Sequence, residues 1–184
     1  DNRQLLDALL QSLTDNQAEV HWQRQVAPED FQNNADWVLD CRGLGAKPQW
    51  PGLRGVRGEV IRLHAPEVRI SRPVRLIHPR YPLYIAPKEN SVFVVGATEI
   101  ETDDLSPASV RSTLELLSAV YSVDSGFAEA RILEINTQAR PTLPDNLPTI
   151  QAPRPGVLQI NGLYRHGFLI APALLDATLA LMQG

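Results

Sequence analysis

VIRLHAPEVRISRPVRLIHPRYPLYIAPKENSVFVV, residues 60–95, sets four short apolar runs between turn-forming residues. The runs fall at 60–64, 74–78, 84–86 and 92–95, and they are rich in valine, isoleucine and aromatic side chains. Branched and aromatic residues in short runs bounded by proline, asparagine and serine mark strands rather than helices. Glu89-Asn90-Ser91 predicts a hairpin turn between the last two runs. Strands that follow one another this closely predict a mainly antiparallel sheet.

Working outward, Ser106 and Pro107 supply a cap and a first-turn proline for a helix over 106–122. Val110, Leu114, Leu117 and Tyr121 form its apolar side. Residues 129–135 read as a further strand, a proline-rich loop follows, 157–160 is a strand and 172–183 a closing helix. Upstream, Leu5, Leu6, Leu9, Leu10 and Leu13 recur at helical spacing, with Asp1 or Asn2 as cap. Residues 19–22 and 37–41 read as short strands, the second running into Arg42-Gly43-Leu44-Gly45. The predicted class is α+β (mixed α/β).

A chain of 184 residues with 43% hydrophobic side chains buries a real core, as one large domain or two small ones. The net charge of −4 argues against nucleic acid as the main partner. The cluster of Arg54, Arg57, Arg62, Arg69, Arg72, Arg75 and Arg80 reads as alternating strand positions facing solvent. Cys41 is alone, which excludes an intrachain disulfide and fits a reducing cytoplasm. No apolar run approaches the ~20 residues that span a bilayer.

Two arginines carry the chemistry. Arg140 lies in QARPTLPDNLP (138–148), at the end of a strand-like run. Arg165 lies in NGLYRHGFLIAP (161–172), where a strand passes through a glycine turn into a helix. A guanidinium presents a planar fork that matches a carboxylate at two points. A turn into a helix presents free N–H groups to an electron-rich ligand. The bland reading of Arg140 is a surface ion pair with Asp145. Gly43-Leu44-Gly45 invites a dinucleotide reading, but Pro48 stands at the third glycine position and opposes the required helix. The acidic residues Glu99, Glu101, Asp103 and Asp104 have no histidine at metal-ligand spacing, so no metal is expected. His21, His64, His78 and His166 are scattered, and no nucleophile motif occurs.

Both arginine motifs resemble the glycine oxidase and thiamine-biosynthesis branch of the D-amino-acid-oxidase-like flavoproteins. So do Arg54-Gly55-Val56-Arg57-Gly58-Glu59-Val60, Tyr84-Ile85-Ala86-Pro87-Lys88 and Val94-Val95-Gly96-Ala97-Thr98. The resemblance runs over most of the chain. It implies a discontinuous FAD-binding domain, with pieces at 1–48 and 136–184, interrupted by a substrate domain at 49–135. The glycine-rich fingerprint that opens such proteins is missing, so the chain reads as the C-terminal part of a longer flavoenzyme, inactive by itself.

By the same resemblance, Arg140 and Tyr84 hold the substrate carboxylate, and Arg165 steers anions. Gly43, Gly162, Arg165, His166, Gly167, Phe168, Leu169 and Ile170 face the flavin. Gln138 occupies the place of covalent flavin attachment in monomeric sarcosine oxidases. A glutamine forms no thioether, so FAD is expected to be non-covalent and weakly held by this fragment. The implied reaction is oxidative deamination of glycine or another small amino acid, releasing hydrogen peroxide and serving thiamine thiazole formation. The competing readings are an FAD-dependent D-amino-acid dehydrogenase and a non-catalytic carboxylate-binding module. The expected partner is a small amino acid, not nucleic acid or membrane, with homo-oligomer formation left open.

Overall fold

The computed structural model describes residues 1–31, 34–77 and 82–183. In chain order the strands are β1 (Val38–Asp40), β2 (Arg54–His64), β3 (Val74–Leu76), β4 (Leu83–Pro87), β5 (Val92–Gly96), β6 (Arg131–Thr142), β7 (Thr149–Arg154) and β8 (Val157–Asn161). The helices are α1 (Asn2–Asp15), α2 (Val110–Val123) and α3 (Gly167–Gln183). The architecture is α+β, built on two sheets.

The larger sheet has the order β3-β4-β5-β2-β6, with every neighbouring pair antiparallel. Because strand side chains alternate, β2 divides cleanly. Ile61 and Leu63 point to one face with Val95 and Phe93 of β5 and Leu83 and Ile85 of β4, all nearly fully buried. Leu116, Ala119 and Val120 of α2 close this core, and Phe93 meets Phe127 edge-on with ring centroids 5.1 Å apart. Val56, Gly58 and Val60 point to the opposite face, which carries the candidate site.

The smaller sheet has the order β1-β8-β7, with β1 parallel to β8 and β7 antiparallel to it. It joins residues from the two ends of the sequence. Asp40 is buried and receives Arg42 Nε at 2.8 Å, Arg42 Nη2 at 2.9 Å and Gln159 Nε2 at 3.0 Å. Every carboxylate oxygen thus has a donor, which a buried acid requires.

Several expectations need correction. Residues 19–22 form no strand, and Val20 and Trp22 are exposed; a short run is stable only when a sheet edge receives it. Helix α2 begins at Val110, not at 106. Ser109 is its cap, accepting from the Ser112 N–H at 3.1 Å, while the Ser106 N–H and hydroxyl both donate to Asp104. Its inward face is also different. Ser112, Leu116, Ala119 and Val120 are buried, whereas Val110, Leu114 and Tyr121 are 78%, 58% and 56% exposed. Both sets recur at helical spacing, and the sheet takes the one whose small residues permit close approach.

Strand β6 runs past the expected 135 to Thr142. It tolerates Pro141, which has no N–H, because it is an edge strand. Strand β7 was not anticipated. Helix α3 starts at Gly167, five residues ahead of Pro172. Arg57, expected at a solvent-facing position, is 4% exposed and pairs with buried Glu59 at 2.7 Å. The expected strand at 74–78 is seen to Leu76; His78 and Arg80 lie outside the described residues.

Candidate active site: an arginine-lined cavity beside two glycine turns

The site face of the larger sheet is laid out by register. Arg75 pairs with Tyr84, Tyr84 with Gly96 and Gly96 with Val60, so these residues form one row across β3, β4, β5 and β2. Farther along, Gly58 pairs with Gln138, and Val56 with Arg140. Arg75 and Tyr84 of this row, with Arg140, border a cavity of about 560 Å³, completed by Ala97, Arg165 and His166.

Glycine shapes this surface at two strand positions, where an interior glycine otherwise weakens a sheet. A Cβ on Gly58 would overlap the Arg140 guanidinium. Arg140 therefore lies flat over bare backbone. A Cβ on Gly96 would come within 3.0 Å of the Tyr84 hydroxyl. The phenol needs that space to reach inward.

The Arg140 Nη1 donates to the carbonyls of Thr98 at 3.2 Å and Val56 at 3.5 Å. Among the described residues no carboxylate lies within ion-pair distance of it, and Asp145 instead accepts from the Leu147 N–H at 3.0 Å. The surface ion pair is thus absent. Burial is the largest cause pulling the guanidinium below its ordinary pKa; Arg165 acts in the same direction, while the ionisable groups of Tyr84 and Glu99 oppose it. Burial likewise pushes the Tyr84 phenol up, while Arg140 and Arg165 oppose the shift. A raised phenol pKa keeps Tyr84 a neutral donor at physiological pH.

Thr98 ties this corner to the core. Its hydroxyl receives the Glu59 N–H at 2.9 Å, and its carbonyl receives Arg140. Glu99, next in sequence, is bound by the Tyr164 hydroxyl and by Arg165 Nη1 at 2.7 Å. Arg165 is therefore already charge-paired, in contrast to Arg140.

At the other end of the site, Gly43 and Gly162 follow the carboxyl ends of the parallel strands β1 and β8. Their φ angles of +57° and +77° are readily reached only without a side chain. Asn161, 1% exposed, holds both. Its Nδ2 donates to the Gly43 carbonyl at 2.9 Å, and its Oδ1 accepts the Gly162 N–H at 2.9 Å. Crevices beyond the carboxyl ends of parallel strands are the usual ligand sites of such sheets.

Helix α3 starts beside these turns. The Leu169 and Ile170 N–H groups are taken by the His166 carbonyl at 2.9 and 3.0 Å, and the His166 N–H donates to Leu163. The donors of the first turn left to face a ligand are those of Gly167 and Phe168. The Gln138 side chain is exposed on the site face of β6.

The sequence reading missed Gly58, Gly96, Thr98 and Asn161 as working parts. Glycines inside strand patterns were the available signal for the first two. Thr98 bonds partners far away in sequence, and Asn161 bonds its neighbour Gly162 and the distant Gly43, so their positions alone do not single them out.

The sequence pattern of the FAD dependent oxidoreductase (DAO) family matches residues 1–177. The chain belongs to this family. A protein of Rhizobium etli named as a thiamine biosynthesis oxidoreductase, ThiO, is 48% identical over 175 residues, covering 95% of this chain and 52% of its own length. The D-amino acid oxidase of Dugesia ryukyuensis is 29% identical over 111 residues, 59% of this chain and 32% of that protein. Among solved structures, glycine oxidase from Geobacillus kaustophilus matches with a TM-score of 0.69 at 23% identity, over 81% of this chain and 42% of its own. Iminodiacetate oxidase from Chelativorans sp. BNC1 matches with a TM-score of 0.64 at 27% identity, over 76% of this chain and 40% of its own. The chain thus spans about half the length of the Rhizobium relative, and less of the others.

The residues present fit the cofactor that the family name specifies. Two turns with a glycine pinned by one asparagine, the open N–H groups at the start of α3 and a polar, unreactive Gln138 suit a flat, electron-accepting ring held without a covalent bond. Among the described residues no group of histidine, cysteine or carboxylate side chains is arranged to hold a metal ion, and no helix is long and apolar enough to cross a membrane.

Proposed function

We propose that this chain provides the substrate pocket and one wall of the flavin site in an oxidase of small amino acids, glycine foremost. The observation that carries the reading is Arg140, a partly buried guanidinium on a cavity wall with no carboxylate of its own. The five-stranded sheet with α2 belongs to the substrate domain, which β6 carries past 135 to Thr142, and residues 1–48 and those after Thr142 belong to the FAD-binding domain, whose adenosine-binding part lies in a longer polypeptide. The likeness to the Rhizobium protein supports a role in thiamine formation.

In this reading Arg140 takes the substrate carboxylate with the two-point geometry of its fork, and the Tyr84 hydroxyl donates to the same group. Gly58 and the carbonyls of Thr98 and Val56 fix the guanidinium before substrate arrives. The amine and Cα–H are thereby aimed toward the glycine turns. FAD, when bound, supplies the hydride acceptor. The Gly167 and Phe168 N–H groups, at the positive end of α3, favour negative charge on the ring edge nearest them. Arg165, held by Glu99, guides anions to the mouth. The amino acid loses two hydrogens, and water releases ammonia from the imine.

The test is oxygen uptake and peroxide release by the flavin-loaded intact protein with glycine. Wild-type turnover that collapses in Arg140→Ala, with flavin content unchanged, supports the reading. Normal kcat/KM in Arg140→Ala removes Arg140 from the site.

A further inference from the structure

We propose that Arg75 forms a second anion subsite in this cavity, which favours a ligand with a second carboxylate over its monoamide. The inference rests on the oxidase reading but concerns a residue which that reading leaves idle. The cavity, at about 560 Å³, lies in the range of pockets for drug-sized ligands, ~300–1,000 Å³. Glycine fills little of it. Among the described residues the lining holds Arg75, Arg140, Arg165 and His166 and no acid. Of the three guanidinium groups, Arg165 is neutralised by Glu99 at 2.7 Å. Arg140 and Arg75 remain, one from each edge strand of the five-stranded sheet.

Arg75 is exposed, on the face of the sheet that carries the site. Arg75 pairs with Tyr84 in register, so its side chain shares the site face with the phenol. Pro73, Val74, Pro82 and Leu83, close to Arg75 and Tyr84 in sequence, line the same cavity as Arg140. A ligand held by Arg140 therefore has a second cation in the same cavity. A cleft lined by one sign of charge concentrates ligands of the opposite sign. A monocarboxylate leaves Arg75 facing water, whereas a dicarboxylate uses both.

Probes that differ only in charge test this. In the flavin-loaded intact protein, binding of succinate and of its monoamide, succinamate, is measured by titration calorimetry. Turnover is compared for D-aspartate and D-asparagine. Succinate is expected to bind about tenfold tighter than succinamate, a difference of about 1.4 kcal/mol, that shrinks as salt is raised. Arg75→Gln removes the difference by weakening succinate alone. The same variant removes a matching preference for D-aspartate over D-asparagine. Equal binding of the two probes in the wild type overturns the subsite, as does Arg75→Gln weakening both alike. An Arg75-dependent succinate preference with no amino-acid turnover supports the subsite and sinks the oxidase reading instead.

Discussion

At the scale of single residues, the site depends on one guanidinium set on bare backbone. Removing one partner of a charge-assisted two-point contact costs on the order of 2–5 kcal/mol. At ~1.4 kcal/mol per decade, Arg140→Ala should lower kcat/KM roughly 30-fold to several thousand-fold. Arg140→Lys should recover only part, because an ammonium lacks the planar fork. Tyr84→Phe removes one neutral hydrogen bond, about 0.5–1.5 kcal/mol, and should cost less than Arg140→Ala. Steady-state oxygen uptake ranks the three variants, and the opposite order would make Tyr84 the main anchor. Gly58→Ala tests the same point from beneath. Its new Cβ collides with the guanidinium, so KM should rise while thermal stability changes little. An unchanged KM in Gly58→Ala would show that Arg140 works from some other position.

Secondary-structure elements show where the sequence was readable. The four runs of the larger sheet, the cap of α1 and strand β1 follow from patterns that are local: branched residues, turn residues and a capping acid. The start of α2 does not, because Ser106 and Pro107 carry the local signal while Asp104 takes the Ser106 N–H and hydroxyl and Ser109 caps the helix instead. The inward face of α2 depends on the shape of the sheet below it, which no helical period encodes. Ser109→Ala should therefore cost about 1 kcal/mol of stability and Ser106→Ala less, by denaturant unfolding. Candidate-site residues divide in the same way. Arg140, Tyr84 and Gly162 could be assigned from their motifs, whereas Thr98 and Gly58 act on partners that only the sheet register brings near, and Asn161 on the distant Gly43 as well as its neighbour Gly162. Asp40 and Arg42, two residues apart at the end of β1, give a pH signature. The hydrogen bond from Arg42 is the largest cause holding the Asp40 carboxyl below its ordinary pKa, followed by the opposing effect of burial. A depressed folded-state pKa stabilises the fold above the unfolded value, about 3.9, and the benefit fades as pH falls through the lower folded value. Urea midpoints measured below pH ~4 should thus fall more steeply in the wild type than in Asp40→Asn. Parallel acid limbs would exclude Asp40 as a contributor.

For the whole molecule, the proposed function divides the work between the larger sheet, as a carboxylate grip, and the glycine turns of the smaller one. The parts of the chain least buried in itself are its helical faces. Helix α1 has no buried residue, with Leu5, Leu6, Leu9 and Leu13 each about half exposed, and in α3 Leu169 is 80% exposed. Exposed apolar stripes of this extent mark surfaces that other structure covers. The family's cofactor carries an adenosine diphosphate half, and among the described residues no glycine-rich turn opens a helix to cradle a pyrophosphate. The segment Gly43–Gln49, which begins with the needed glycines, is a 3₁₀ turn containing Pro48 and ending before β2. The ring edge and the pyrophosphate would therefore be held by different parts of a longer polypeptide. It follows that the intact protein should bind FAD stoichiometrically, and that the 184-residue chain alone should bind it at least about a hundredfold more weakly, two decades at ~1.4 kcal/mol each. Because Gln138 offers no sulfur, denaturing the intact protein should release all of its flavin into the supernatant. Flavin quenching titrations on both polypeptides, and absorbance of the supernatant after acid precipitation, measure these quantities. Flavin that stays with the precipitate would overturn the non-covalent assignment, and tight binding by the 184-residue chain would place the pyrophosphate site within it.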